Sequence, residues 1–397
     1  MRRRILLLAV SLMALAIVDG ALSAIVLRDG SFRGRRVAPF HPPTFTSEQR
    51  DLAQRLRDGT EVPATNVRFD AELGWTTRES FVGANESYDA LGARGGSVGA
   101  HAPRASGVDR VAAFGCSFTH ADEVADADAW CARLDELRAD VEVQNFGVGA
   151  YGLDQALLRY RRVASELDVD EVWLGFMPRA ALRVVSMYRP ALAHEDRSVA
   201  LKPRFEFDDR GGLAFVPLPV ASARELGELL CAPDDRFVTA LAAHDAFVGA
   251  WASAFAPHGD HLWHRSFTAR LLVTKLEGGA RPHDDVLRDA TSECSRVLRA
   301  VVAAFRADVE ARGDRFRLLI LPDRPSLDGI KAARAGGPAP AYATIVEALQ
   351  ADGVDVVDVT DALAIADGPG AGLFAPGGHW SPAGNRVVAE RLARLFD

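Results

Sequence analysis

The chain has 397 residues, 48% of them hydrophobic and 25% charged, enough to bury one sizeable core with additions. Its net charge of −8, with arginines interleaved among Asp and Glu, excludes the concentrated basic face that a nucleic-acid partner requires. The four cysteines, Cys116, Cys131, Cys231 and Cys294, form no CxxC pair, which excludes a zinc ribbon or a thioredoxin-type motif and leaves disulfide pairing open.

Met1-Arg2-Arg3-Arg4 followed by the apolar run Ile5 to Leu27 is a basic flank and a span of about 20 apolar residues, the length of a hydrocarbon core. Residues 1–30 are therefore expected to be a signal anchor, a single pass through the inner (cytoplasmic) membrane with the remaining chain in the periplasm. A cleaved signal peptide using Ala21, Ser23 and Ala24 would export the chain equally, and a cytoplasmic domain with a buried N-terminal helix is the third reading. Asp19 interrupts the run. A carboxylate at depth costs roughly 2.5–3.5 kcal/mol, so it belongs near the outer interface or against a partner.

Residues 31–105 read as a stalk and N-terminal extension, with His41-Pro42-Pro43 in an exposed connection and Glu72-Leu73-Gly74-Trp75 and Ala90 to Gly95 as turns between short strands. From residue 106 to 397 the chain takes on a βα rhythm. Strand 110–115 leads to a helix over Ala127–Arg138, strand Val141–Asn145 to a helix over Leu153–Leu167, and strand Glu171–Gly175 follows. The rhythm breaks over about 181–283, an insertion placed to cover the sheet's carboxyl edge. It resumes with a helix over Asp285–Arg312, whose stripe is Val297, Val301, Ala304, Phe305 and Val309. Strand Phe316–Leu321, helix Tyr342–Ala351, strand Val354–Val359 and a last helix from Pro382 complete it. The fold class is α/β, a three-layer αβα sandwich on a parallel sheet.

Two segments carry chemistry. Val111 to Thr119 runs an apolar strand into a small-residue turn with a hydroxyl, Ser117, and Gly378-His379-Trp380-Ser381-Pro382 places an imidazole just before the last helix. A serine nucleophile on the first strand and its histidine base on the last loop is the functional reading. A turn-capping serine and a mundane loop histidine are the structural one. Cys116 reads as a small packing residue beside the turn. In His258-Gly259-Asp260-His261-Leu262-Trp263-His264 the three imidazoles suggest zinc, but Pro257 and Gly259 oppose a regular helix and no metalloprotease spacing matches. A polar loop is the preferred reading, and neither metal nor cofactor is expected.

Position 119 is Thr, so the Gly-x-Ser-x-Gly elbow of α/β-hydrolases is absent. Gly115-Cys116-Ser117-Phe118-Thr119, Val143 to Gly152, Leu174 to Ala180 and the His379 loop instead resemble the four blocks of the SGNH (GDSL-type) hydrolases, closest to membrane-anchored, exported bacterial members. The likeness covers 109–180 and 315–397. Cys116 replaces the family's Asp, Ala150 stands where an oxyanion glycine is expected, Ala180 where an Asn is expected, and Pro376 where the family's acid precedes its histidine. The resemblance implies Ser117 as nucleophile, His379 as base, and the amides of Ser117, Gly149 and Ala150 as the oxyanion hole. Asp358, Asp361 and Asp367 are the candidates for the orienting acid. It also implies an esterase or O-acyltransferase acting on an acylated small molecule or carbohydrate, acetyl esters of the cell envelope among them. The alternative is a catalytically degenerate member that binds glycan or an assembly partner.

Overall fold

The computed structural model describes residues 2–27, 31–32, 35–37, 46–60, 66–95, 106–192, 198–232, 235–249, 262–277 and 283–397. The chain forms two compact units. One comprises Ala64–Val185, Lys202–Leu218 and His283–Asp397, the other Met1–Pro63, Ser186–Leu201 and Pro219–Pro282.

The first unit is built on five parallel strands: β1 (Asp109–Gly115), β2 (Val141–Asn145), β3 (Glu171–Phe176), β4 (Arg315–Ile320) and β5 (Val356–Asp358), in the order 2-1-3-4-5. Central strands of a parallel sheet are covered on both faces and so read as unbroken apolar runs. Val111, Ala112, Ala113 and Phe114 of β1 are accordingly all fully buried. The helices are α1 (Trp130–Leu137), α2 (Leu153–Val163), α3 (Glu293–Glu310), α4 (Arg324–Arg334), α5 (Ala343–Ala351), α6 (Thr360–Ala366) and α7 (Pro382–Ala393). On the face covered by α2 and α3, Phe114 stacks on Phe146 and Tyr160 on Phe305, each pair with ring centroids 4.9 Å apart. On the other face Trp130 and Leu134 of α1 and Val388 and Leu392 of α7 pack with Ala113 and Trp173. This is the expected αβα sandwich.

Several expected elements differ in detail. The single helix over 285–312 is two, His283–Arg288 and α3, because the Ser292 hydroxyl accepts the Ser295 N–H and starts a new helix. Of the predicted stripe Val297, Val301, Phe305 and Val309 are buried, and Ala304 is half-buried. Helices α4 and α6 were not anticipated. Asp323 caps α4 by accepting the Ser326 N–H, and a proline follows in its first turn. Two hairpins lie outside the sheet, Val67–Asp70 with Gly74–Thr77 before β1 and Arg204–Phe207 with Leu213–Val216 between β3 and β4.

In the second unit, the N-terminal helix Arg2–Val26 has a stretch, Leu6–Val26, long and apolar enough to cross a membrane, a property that a signal sequence shares. Asp19 is not bare: it accepts the backbone N–H of Thr268 at 2.9 Å and the Thr268 hydroxyl at 2.8 Å, at the start of helix Phe267–Glu277. Helix Ser47–Asp58 packs against helix Ala223–Leu230 so closely that a Cβ on Gly227 would stand 2.2 Å from the Arg57 nitrogen. His258 and His261 lie outside the described residues. Among the described residues no group of three metal-ligating side chains occurs, and all four cysteines are free thiols.

Candidate active site

Ser117 opens a one-turn helix, Ser117–His120, directly off the end of β1. The local sequence permits the turn because Gly115 takes φ +154° and, with Gly175 of β3, leaves room for Thr119. A Cβ on either glycine would stand 2.2 or 2.1 Å from Thr119 Oγ1. Cys116 and Ser117 are both buried. Within the described residues the Ser117 hydroxyl makes no hydrogen bond, and the amide N–H groups of Ser117, Gly149 and Ala150 donate none.

Beyond the turn the chain passes through two non-glycine residues in the left-handed region, Ala121 (φ 66°) and Glu123 (φ 71°). Each such residue costs about 1–3 kcal/mol and persists where its surroundings hold it. Arg94 does so: its buried guanidinium donates to the carbonyls of His120 (2.7 Å), Ala121 (2.6 Å) and Val124 (2.6 Å) and to Asp126 Oδ1 (2.9 Å).

The His379 loop is pinned from several sides. Ser381 caps α7 and Pro382 sits in its first turn, while the Trp380 indole donates to the Pro322 carbonyl at 3.1 Å. Asn385 accepts the Trp130 N–H and donates back to the carbonyls of Trp380 and Ser381. The loop meets the serine turn directly. The Phe118 ring lies 5.2 Å from the His379 ring and 5.0 Å from Trp380.

The carboxylate that engages His379 comes from the serine side. Glu123 Oε2 lies 2.8 Å from His379 Nδ1 and accepts the His379 N–H at 2.9 Å, and Oε1 accepts the Gly377 N–H at 2.7 Å. None of the three carboxylates expected from the sequence reaches the imidazole. Asp358 accepts the Thr360 N–H, Asp361 pairs with Arg334, and Asp367 pairs with Lys331 and Arg324. Each is consumed by its own helix or a neighbouring one.

Burial works against the charge on Glu123, but the hydrogen bonds from the His379 amide and ring and from the Gly377 amide outweigh it and hold the carboxyl below its usual range. An ionised carboxylate only accepts, so Nδ1 carries the proton toward Glu123, the tautomer in which a neutral imidazole presents the Nε2 lone pair. Asp122, next in chain, stands on that other side, with Oδ2 4.0 Å from Nε2.

The second block supplies a turn. Asn145 Nδ2 donates to the carbonyls of Thr119 (2.9 Å) and His120 (3.3 Å), and its Oδ1 accepts the Gly147 N–H. Asn145 thus ties β2 to the serine turn. Ala150 adopts φ 67°, and the turn is braced by Trp75, whose indole donates to the Gly149 carbonyl at 3.0 Å. Ala180, in the 3₁₀ segment Pro178–Val185, is buried and brings no side-chain donor.

Sequence reasoning missed Glu123, Asp122 and Arg94. The first two stand in the polar stretch directly after the serine turn. Arg94 belongs to the segment read as turns between short strands.

Residues 282–397 match the family described as SGNH hydrolase-like domain, acetyltransferase AlgX. No curated protein matches the chain. Solved structures similar to it include a member of the lipolytic protein G-D-S-L family from Veillonella parvula (10% identity, 73% of this chain and 98% of that one, TM-score 0.33). They also include the acetyl xylan esterase AlAXEase (12%, 72% and 100%, 0.34) and the lipase/acylhydrolase from Enterococcus faecalis (14%, 73% and 95%, 0.31). Residues 282–397, which carry β4, β5 and the His379 turn, are thus similar to an SGNH hydrolase-like domain, and the 2-1-3-4-5 parallel sheet sets the Ser117 turn and the His379 turn at its two ends in sequence.

Proposed function

We propose that the protein is an exported, membrane-anchored serine esterase or O-acyltransferase whose substrates are acyl esters, acetyl esters of cell-envelope carbohydrate in the first instance. The observation that carries this reading is the His379 imidazole, held through Nδ1 by Glu123 beside the Ser117 turn with Nε2 free of any hydrogen bond among the described residues. The family match, which names an acetyltransferase, supports the acyl chemistry. The apolar helix Leu6–Val26 supports the anchor.

In the reaction, Ser117 Oγ attacks the ester carbonyl carbon as His379 Nε2 takes the hydroxyl proton. The carbonyl oxygen becomes an oxyanion, held by the N–H groups of Ser117, Gly149 and Ala150. The tetrahedral intermediate expels the alkoxide, which takes the proton from Nε2, leaving an acyl-serine. Water then completes hydrolysis, or an acceptor hydroxyl completes transfer, by the same steps in reverse. Lack of a side-chain donor at Ala180 costs about 10²–10³ in rate, so turnover is slow.

The test uses the full chain in detergent. Covalent labelling by a fluorophosphonate and hydrolysis of a small acetyl ester, both abolished by Ser117→Ala, are expected. A chain that neither labels nor hydrolyses, yet binds envelope glycan, would establish the degenerate binding alternative instead.

A further inference from the structure

We propose that Glu123 is the positioning residue of the His379 base, a carboxylate supplied from the nucleophile's own loop because the histidine loop carries none. This rests on the reading of Ser117 and His379 given above. The segment before the imidazole is Ala375-Pro376-Gly377-Gly378, which has no acid, and Asp358 at the end of β5 and Asp361 and Asp367 after it are engaged elsewhere. Glu123 fills the space that a side chain at 377 would occupy: a Cβ built on Gly377 would stand 2.5 Å from Glu123 Oε1 and 2.7 Å from Oε2. Gly377 is not in the left-handed region, so its missing side chain answers to this carboxylate and not to backbone conformation.

The contact is built for orientation. One oxygen of Glu123 takes both the ring N–H and the backbone N–H of His379, fixing the ring relative to its own main chain, and the other oxygen anchors the preceding turn through Gly377. Glu123 itself is held in a left-handed conformation by the loop that Arg94 clamps, so the acid is preset before any substrate arrives. Two loops thus assemble the site: one carries the hydroxyl and the carboxylate that supports the base, the other carries the base.

A purely structural use of Glu123, stitching two loops by their backbone amides, predicts different behaviour, and the variants separate the two. In Glu123→Gln a carbonyl oxygen still accepts the Gly377 N–H, while the charge facing Nδ1 is gone. The expected result is a fall in kcat, and in the fluorophosphonate labelling rate, of about 10²–10⁴-fold with KM within about threefold of wild type, the scale seen when a triad carboxylate loses its charge. In Glu123→Ala combined with Gly377→Asp, a carboxylate on the other loop enters the vacated space, and at least tenfold of the activity lost in Glu123→Ala returns. Wild-type kcat in Glu123→Gln, with Ser117→Ala inactive, overturns the assignment of Glu123 and leaves the serine mechanism standing. Losses that track a lowered thermal midpoint and are not recovered by the double variant overturn it as well. Unchanged activity in Ser117→Ala instead removes the reading on which it rests.

Discussion

Asp122 is shared between two imidazoles: its Oδ1 lies 2.5 Å from His120 Nδ1 and its Oδ2 lies 4.0 Å from His379 Nε2. The far side of His120 meets the Tyr88 hydroxyl at 2.7 Å, which itself donates to Glu86 and accepts from Asn66. Tyr88 is pushed well above the ordinary phenol range by burial and by the Glu86 charge, so it stays a neutral hydroxyl in this chain of contacts. Asp122 is thus fixed by a buried network and offers only one oxygen to His379.

Replacing Asp122 by Asn removes the charge that pairs with His120 inside that network. A hydrogen bond to a charged group contributes about 1.5–3 kcal/mol, and a loss of that size is expected in denaturant unfolding. Because Glu123 still holds Nδ1, ester hydrolysis should fall by less than in Glu123→Gln. A larger catalytic loss in Asp122→Asn than in Glu123→Gln would mean that Nε2, not Nδ1, receives the orienting contact.

Arg94 holds together the loop that carries both acids. A lysine offers a single ammonium in place of the planar fork and cannot reach the carbonyls of His120, Ala121 and Val124 together with Asp126. Arg94→Lys should lower stability by roughly 2–4 kcal/mol, since buried carbonyls lose their donors, and slow fluorophosphonate labelling at least tenfold as Glu123 leaves its left-handed conformation. Calorimetry and labelling kinetics on the same sample check both. Intact labelling at a lowered thermal midpoint would show that the loop keeps its shape without the clamp.

Ser117 and His379 were legible in the sequence because each lies in a short local block, a strand running into a small-residue turn and a loop capped into a helix by Ser381-Pro382. The sheet was legible for a related reason, as strands buried on both faces stand out as apolar runs. Glu123 was not legible. Its bonds to Gly377 and His379 cross more than 250 positions of chain, and nothing in Thr119-His120-Ala121-Asp122-Glu123 distinguishes a clasp from a solvated polar loop. Asp358, Asp361 and Asp367 were the natural candidates by proximity in sequence, yet each finds a nearer hydrogen-bond donor or cation. Arg94 and Trp75 were hidden in another way: their short strands and turns carry no periodicity, so their bracing of the Glu123 and Gly149 loops emerges only when the sheet is assembled.

Asp135 on α1 gives the domain a weakness at alkaline pH. Burial, and the nearby Glu142 charge, push its carboxyl up to about 7 even though it accepts the Val143 N–H at 2.8 Å. A carboxyl raised in the folded state binds more protons there than in the unfolded chain, so its contribution is fully present below about pH 4 and is lost as pH rises through 7. Asn at 135 keeps an acceptor for Val143 and never ionises. Asp135→Asn should therefore be more stable than wild type above pH 8 by roughly 2–4 kcal/mol, with the gap closing below pH 4. Equal stability of the two proteins at pH 8.5 would show that water reaches the wild-type carboxylate.

Asp70 works in the opposite sense and anchors the hairpin whose Trp75 braces the Gly149 turn. Burial disfavours its charge, but Arg162, at 2.7 and 2.8 Å from its two oxygens, and the N–H groups of Leu73 and Glu72 outweigh that and bring the carboxyl down to about 2. A depressed carboxylate stabilises the fold at pH values above the unfolded value near 4, and that stabilisation disappears as pH falls through 2. A shift of this size corresponds to about 2 kcal/mol at neutral pH. Asp70→Asn should be less stable than wild type by about that amount at pH 7, and the two unfolding curves should converge by pH 2. Because the hairpin meets the Gly149 carbonyl through the Trp75 indole and the following Gly152 through Leu73 and Gln155, none of them Asp70, ester hydrolysis in the folded variant should fall by less than about tenfold. A loss as deep as that of Ser117→Ala would make the hairpin part of the oxyanion machinery, with Trp75 the residue through which it acts.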